Sequence, residues 1–252
     1  MLTHPTIEKL YAIHLWGMAK AFEDQHSMPD IAALSFEERL GLLVDQEVTE
    51  RKNRQVRLRL KKAHLRMTAS LEDLDYRSPR GVDKALILEL GACRWVEQHQ
   101  NVLITGPTGV GKSYMACALA HKACREGFRT LYLRLPRLLQ GLQIARGDGR
   151  YGKVLASLAK TELIVIDDWG LAPLDDHGRR DILEILEDRH DVRSTIVTSQ
   201  LPVAAWHEMI ADPTLADAIL DRLVHNAYQI DLKGESMRKR LKSLTQSGHS
   251  GT

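Results

Sequence analysis

The stretch Gly106-Pro107-Thr108-Gly109-Val110-Gly111-Lys112-Ser113 matches the pattern G-x-x-x-x-G-K-[ST] at every fixed position, and it constrains the fold more than any other feature of the chain. Such a loop works only between a buried strand and a helix. Residues 101–105 (NVLIT) read as the strand, and residues 113–126 read as the helix. Glycines without Cβ let consecutive backbone N–H groups curl around a phosphate, and the helix start adds its positive end. A nucleoside triphosphate, ATP with Mg²⁺, is the expected ligand. Lys112 is expected to reach the β- and γ-phosphates and the Ser113 hydroxyl to sit on Mg²⁺, with Tyr114 completing the nucleotide-binding set that begins at Gly106.

Further apolar runs at 130–135, 163–167, 195–198 and 228–232 alternate with helical segments. That alternation predicts an α/β fold, a parallel five-stranded sheet wrapped by helices. The amino-terminal part reads differently. From Ile7 onward Leu10, Tyr11, His14, Leu15, Met18 and Phe22 share the spacing of one amphipathic helix. Ser35 with Glu38 forms a capping box that starts a second helix, able to run on into a basic stretch. Residues 76–81 (YRSPRG) read as a connection. The expected organisation is a helical domain over 1–70 for DNA binding and oligomerisation, an ATPase domain over 71–244, and a disordered serine- and glycine-rich tail over 245–252.

Residues 163–168 (LIVIDD) are an apolar run ending in two carboxylates. A strand this apolar belongs in the sheet centre, which brings Asp167 to the carboxyl edge beside the phosphate loop, where it can hold Mg²⁺. Asp168 would then orient the attacking water. The next strand is expected between the other two and ends at Ser199 and Gln200. Either side chain can meet the γ-phosphate or the water, although Ser199 reads equally well as a cap or turn before Pro202. Arg222 lies too far along the chain to fold back on its own loop, so it is a candidate finger for a neighbouring subunit; the alternative is a surface arginine paired with Asp217 or Asp221. Arg238 is a candidate for the γ-phosphate in cis.

The chain has 252 residues and a net charge of +2, too small for general attraction to nucleic acid, so any DNA contact must come from local clusters. Two exist. Residues 51–66 hold Arg51, Lys52, Arg54, Arg57, Arg59, Lys61, Lys62 and Arg66 and no acid, and residues 138–160 hold Arg146, Arg150 and Lys153. A helix basic nearly all round is attractive to phosphate backbones; the alternative is a solvated charge run or a protein-docking arm. No base-reading helix is evident, so low sequence specificity is expected. Three cysteines without C-x-x-C spacing, no signal segment and no long apolar run give a cytoplasmic expectation with no membrane. Trp169 and Trp206 read as core or interface residues rather than stacking platforms.

With residues 106–113, Asp167-Asp168, Ser199-Gln200, Asp221-Arg222-Leu223 and 234–238 in place, the chain resembles the AAA+ ATPases of the initiator and helicase-loader clade, and within it the IstB family. Residues 68–76 (TASLEDLDY), 167–170 (DDWG) and 198–202 (TSQLP) carry the resemblance in detail. It implies an ATP-dependent homo-oligomer on double-stranded DNA that selects and deforms its target and stimulates a cognate transposase. It also implies Arg222 as a trans finger, Arg238 as a second sensor, and a DNA-facing helical element at 138–160. Two departures stand out: many such proteins carry glutamate where Asp168 stands, which implies slow or partner-dependent hydrolysis, and the chain ends too early for a full helical lid. A helicase loader, with the basic run docking a protein, is the rival reading. A small-molecule kinase lacks support because no arginine-rich lid is present.

Overall fold

The computed structural model describes residues 5–29, 31–76 and 80–237. Two compact units divide the chain, Met1–Leu58 and Arg59–Thr252.

The first unit holds helices α1 (Pro5–Ala12), α2 (Trp16–Gln25) and most of α3 (Phe36–Ala63). The single helix expected from Ile7 to Phe22 is in fact two. His14 takes φ +62°, and Leu15 N–H donates to Leu10 O while His14 N–H donates to Tyr11 O, the paired bonds of a left-handed helix stop. Apolar spacing could not reveal this because the stop uses histidine instead of glycine. The start of α2 has no side-chain cap of its own, and Glu47 of α3 supplies one: its carboxylate accepts Gly17 N–H at 2.7 Å and Met18 N–H at 3.2 Å. A Cβ on Gly17 would lie 2.6 Å from Glu47 Cα, so only glycine permits this approach. The capping box forms as expected, Ser35 N–H to Glu38 at 2.8 Å and Glu38 N–H to Ser35 Oγ at 3.2 Å.

The division between the units lies upstream of the expected boundary at residue 70, within α3. Residues 63–69 explain the difference: Ala63 and Ala69 are buried, and Leu65 and Met67 pack against the core of the second unit. The 244/245 boundary and the tail lie outside the described residues.

The second unit contains α4 (Lys84–Gly91), α5 (Arg94–Glu97), β1 (Asn101–Thr105), α6 (Lys112–Glu126), β2 (Thr130–Arg134), α7 (Leu135–Gly147), α8 (Tyr151–Lys160), β3 (Leu163–Trp169), α9 (Asp176–Glu187), β4 (Ser194–Ser199), α10 (Trp206–Ile210), α11 (Pro213–Val224) and β5 (Ala227–Asp231). All five strands are parallel, in the order β2-β3-β4-β1-β5. Strand β4 therefore separates β1 from β3, as expected.

The sheet is covered on both faces, and the two-residue alternation of a strand decides which side chain meets which cover. Val102, Ile104, Val165 and Ile196 pack with α4, α5 and α6, whereas Leu103, Ile164, Ile166 and Val197 pack with α7 to α11. Trp169 and Trp206 belong to the second core, both buried, with ring centroids 5.3 Å apart. No helix among the described residues is long and apolar enough to cross a membrane.

Candidate nucleotide site

Gly106, Gly109 and Gly111 all adopt positive φ (136°, 86° and 106°), the conformations that curl the loop between β1 and α6. The chain beyond β5 closes over this loop. Leu232 N–H donates to Thr105 O at 2.8 Å and Met237 N–H to Gly109 O at 2.9 Å, and a Cβ on Gly109 would meet Ser236 Oγ at 2.1 Å. Arg238 follows immediately and lies outside the described residues. Below the loop, the buried Arg80 donates to Val110 O at 3.1 Å. A cleft of about 470 Å³ opens beside it, apolar where Met67, Leu74, Tyr114 and Met237 line it and polar where Asp73, Asp75, Arg80, Lys112 and Ser113 do. This pairs an apolar seat for a planar base with a polar seat for phosphates.

Asp167 is fully buried at the carboxyl edge of β3 and collects hydrogen bonds from four side chains. Ser113 Oγ donates at 2.9 Å, Arg66 Nη1 lies 3.1 Å from Oδ2, and Tyr132 and Thr198 hydroxyls donate as well. Burial pushes the Asp167 carboxyl up, but the bonds from Thr198, Tyr132, Ser113 and Arg66 outweigh it and hold its pKa below the ordinary value. Burial also pulls the Lys112 ammonium down, partly offset by Asp167 and Asp168. Lys112 Nζ donates to Gly106 O at 2.6 Å and Pro107 O at 2.9 Å.

One hydroxyl and one carboxylate, hard oxygen donors in contact with each other, suit Mg²⁺. That ion takes few protein ligands and completes its shell with water and phosphate. Among the described residues no cluster of three or more His, Cys, Asp or Glu offers a cage for another metal.

Asp168 occupies the left-handed region at φ +66°, where β3 shifts register against β4, and its carboxylate pairs with Arg134 at 2.8 Å. Gln200 Oε1 accepts from Thr108 Oγ1 at 2.8 Å and so lies over the phosphate loop. Ser199 does not face it. Its buried hydroxyl donates to Trp169 O at 2.9 Å and accepts Leu201 N–H at 3.1 Å, which is the turn role. Thr198 takes the place beside Asp167 for a reason visible in the strand: it shares the face of Ile196 with α6, while Ser199 shares that of Val197. Tyr132, Arg134, Arg80 and Thr198 were not singled out from sequence; a strand buried on both faces gives no alternation that would mark Thr198.

Arg222 stands at the opposite edge of the sheet. Its carbonyl accepts Asn101 Nδ2 at 3.0 Å at the start of β1, and its guanidinium pairs with Glu187 and donates to Ala218 O at 2.9 Å. It thus lies away from its own phosphate loop; Glu187 is its near partner and Asp221 lies at 3.9 Å, while Asp217 pairs with His207.

Among the basic residues, Arg51 pairs with Glu47 at 2.7 Å, Arg57 with Glu50 at 2.6 Å, and Arg54 lies over the Trp16 ring at 5.9 Å. Lys52, Lys61 and Lys62 are exposed. Two members of the run are drawn inward instead: Arg59 donates to Cys124 O at 2.7 Å, and Arg66 joins Asp167. In the second cluster, Arg146 pairs with Asp181 and Tyr151, Arg150 pairs with Asp148, and Lys153 is exposed.

The strand order and the Ser113–Asp167 centre define a P-loop nucleotide-binding domain of the AAA+ type. The chain belongs to the family of IstB-like ATP binding proteins, whose model matches residues 8–245. A Sinorhizobium fredii protein named as an insertion sequence ATP-binding protein, y4pL, is 55% identical over 95% of this chain and 98% of its own. One named for the insertion sequence IS1162 of Pseudomonas fluorescens is 50% identical over 80% and 88%. The crystal structure of DnaI shares the fold at 24% identity and TM-score 0.57, over 67% of this chain and 92% of that one.

Proposed function

We propose that this protein is the helper ATPase of an insertion sequence: it binds and hydrolyses ATP, assembles as a homo-oligomer on duplex DNA with little sequence preference, deforms and selects the target, and stimulates its cognate transposase. The observation that carries this reading is the separation of Arg222 from Lys112, Ser113 and Asp167 by the length of the sheet. With Arg222 placed so, its guanidinium is available to offset charge on the transferring phosphoryl group of a neighbour rather than of its own subunit. The names of the relatives support the insertion-sequence setting.

Ser113 and Asp167 would hold Mg²⁺, which when bound neutralises charge on the β- and γ-phosphates. Lys112 draws the same phosphates into the loop. Asp168 and Gln200 orient the attacking water, and Arg134 fixes the Asp168 carboxylate through their 2.8 Å pair. Asp168 is one methylene shorter than glutamate, which makes turnover slow until a partner or DNA adjusts the edge. Lys52, Lys61, Lys62 and Lys153 are the free phosphate contacts, with Arg51, Arg54, Arg57, Arg146 and Arg150 behind them in ion pairs or ring contacts that DNA can replace.

Subunit mixing tests the trans arrangement. Arg222→Ala and Lys112→Ala each abolish ATPase activity alone, the first by roughly a thousandfold, and mixed oligomers regain part of it at interfaces holding one intact half from each. No recovery at any mixing ratio would overturn the trans role.

A further inference from the structure

Arg66 reads from sequence as one more charge of the basic run, yet its guanidinium lies 3.1 Å from Oδ2 of the carboxylate assigned to Mg²⁺. The two partners differ in freedom. The Arg66 side chain is 37% exposed and has solvent to swing into, whereas that of Asp167 is 1% exposed and held by Ser113, Thr198 and Tyr132 as well. Asp167 can therefore lose Arg66 and keep its other hydrogen bonds, while Arg66, which also lies within hydrogen-bonding reach of Tyr132, can turn to solvent.

The segment that carries Arg66 lies along α6. Arg59 is tied to Cys124 O near the end of that helix, the backbone at Arg66 and Met67 lies within hydrogen-bonding reach of the Cys117 thiol, and Met67 lines the nucleotide cleft. Upstream this strap is continuous with the basic residues of α3.

We propose that Arg66 couples the nucleotide site to the basic helix: a divalent cation entering beside Asp167 displaces the guanidinium, releases the end of the strap at residues 66–67, and thereby alters how the residues of α3 meet duplex DNA. Two cations held on one buried carboxylate repel each other, so a metal ion taken up beside Ser113 loosens the hold on Arg66. Arg66 is a positioning residue in this scheme. The inference rests on the nucleotide-site reading above.

The test compares wild type, Arg66→Gln and Arg66→Lys. Binding of a fluorescent, non-hydrolysable ATP analogue is titrated with Mg²⁺, and duplex affinity is measured by anisotropy with and without Mg²⁺ and the analogue. In Arg66→Gln the Mg²⁺ concentration for half-maximal nucleotide binding falls roughly tenfold and the duplex affinity no longer responds to nucleotide. Arg66→Lys, which keeps the charge, restores both behaviours at least in part. An unchanged Mg²⁺ midpoint in Arg66→Gln overturns the proposal, and so does an equal fall of duplex affinity in both nucleotide states, which would make Arg66 a plain phosphate contact. Wild type that binds no nucleotide at any Mg²⁺ concentration would instead refute the nucleotide site itself.

Discussion

At the amino edge of the sheet the buried Arg189 and Asn101 answer chiefly to backbone; at the carboxyl edge the side chains around Asp167 answer to one another. Arg189, only 1% exposed, donates to Leu158 O at 2.6 Å, Thr161 O at 2.7 Å and Ser194 O at 2.5 Å. Asn101 binds the carbonyls of Arg222 and Leu223 and accepts Thr195 N–H. Burial pulls Arg189 down to about 9, which leaves it a cation at neutral pH within a shell of carbonyls. The carboxyl edge instead gathers Ser113, Thr198, Tyr132 and Arg66 on Asp167, pairs Asp168 with Arg134, and joins Thr108 to Gln200. Bonds to backbone are fixed by the fold, so that edge can only hold or break. Bonds among side chains can be exchanged for a metal ion or a phosphate while the strands stay put. One edge is a clamp and the other a site.

Substitutions should separate the two. Arg189→Met strips partners from three buried carbonyls and is expected to cost about 4 kcal/mol of folding stability, read as a lower urea midpoint, with nucleotide affinity of the folded protein unchanged. A variant as stable as wild type would remove the clamp from the account. Lys112→Ala inverts the pattern: nucleotide affinity drops by about 3 kcal/mol, roughly a hundredfold, while the midpoint moves little.

Ser199 and Gln200 sharpen the distinction between bonds to backbone and bonds among side chains, because they are adjacent yet assigned to different tasks. Ser199→Ala is expected to lose about 1 kcal/mol of stability and leave turnover intact, and Gln200→Ala to slow turnover at constant stability. If Ser199→Ala is the one that slows turnover, its assignment as a turn residue fails.

The smallest effect is at the amino edge. Glu162 accepts Arg129 N–H at 2.9 Å. Burial pushes its carboxyl up, but the Arg129 bonds and the nearby Arg193 charge outweigh that and hold it below 4.5. A depressed folded value means the contribution is present above pH 4.5 and is lost as pH falls through the folded pKa. Glu162 is about one-third exposed, so after solvent screening this is worth a few tenths of a kcal/mol. The stability gap between wild type and Glu162→Gln should close on acidification; a gap that widens contradicts the sign.

The sheet and the phosphate loop were legible because each strand is a continuous apolar run and the loop's glycines, lysine and serine stand at fixed spacing. Asp167 was legible for the same reason, as the first polar residue after such a run. The choice between Ser199 and Thr198 was not, since a strand buried on both faces shows no alternation to reveal which residues face α6. Arg66 was hidden differently: its charge fits the basic run, and only the tertiary path of the strap along α6 turns it toward a residue far along the chain. The stop at His14 escaped because left-handed helix ends are read from glycine.

The central claim is that a triphosphate at the carboxyl edge makes subunits assemble on the double helix. Sedimentation of the purified protein with short duplex DNA, with Mg²⁺ and a non-hydrolysable ATP analogue present or absent, tests it most directly. The account predicts a DNA-bound oligomer with nucleotide and a weakly bound, smaller species without it. A monomer that holds duplex equally well in both conditions would contradict it.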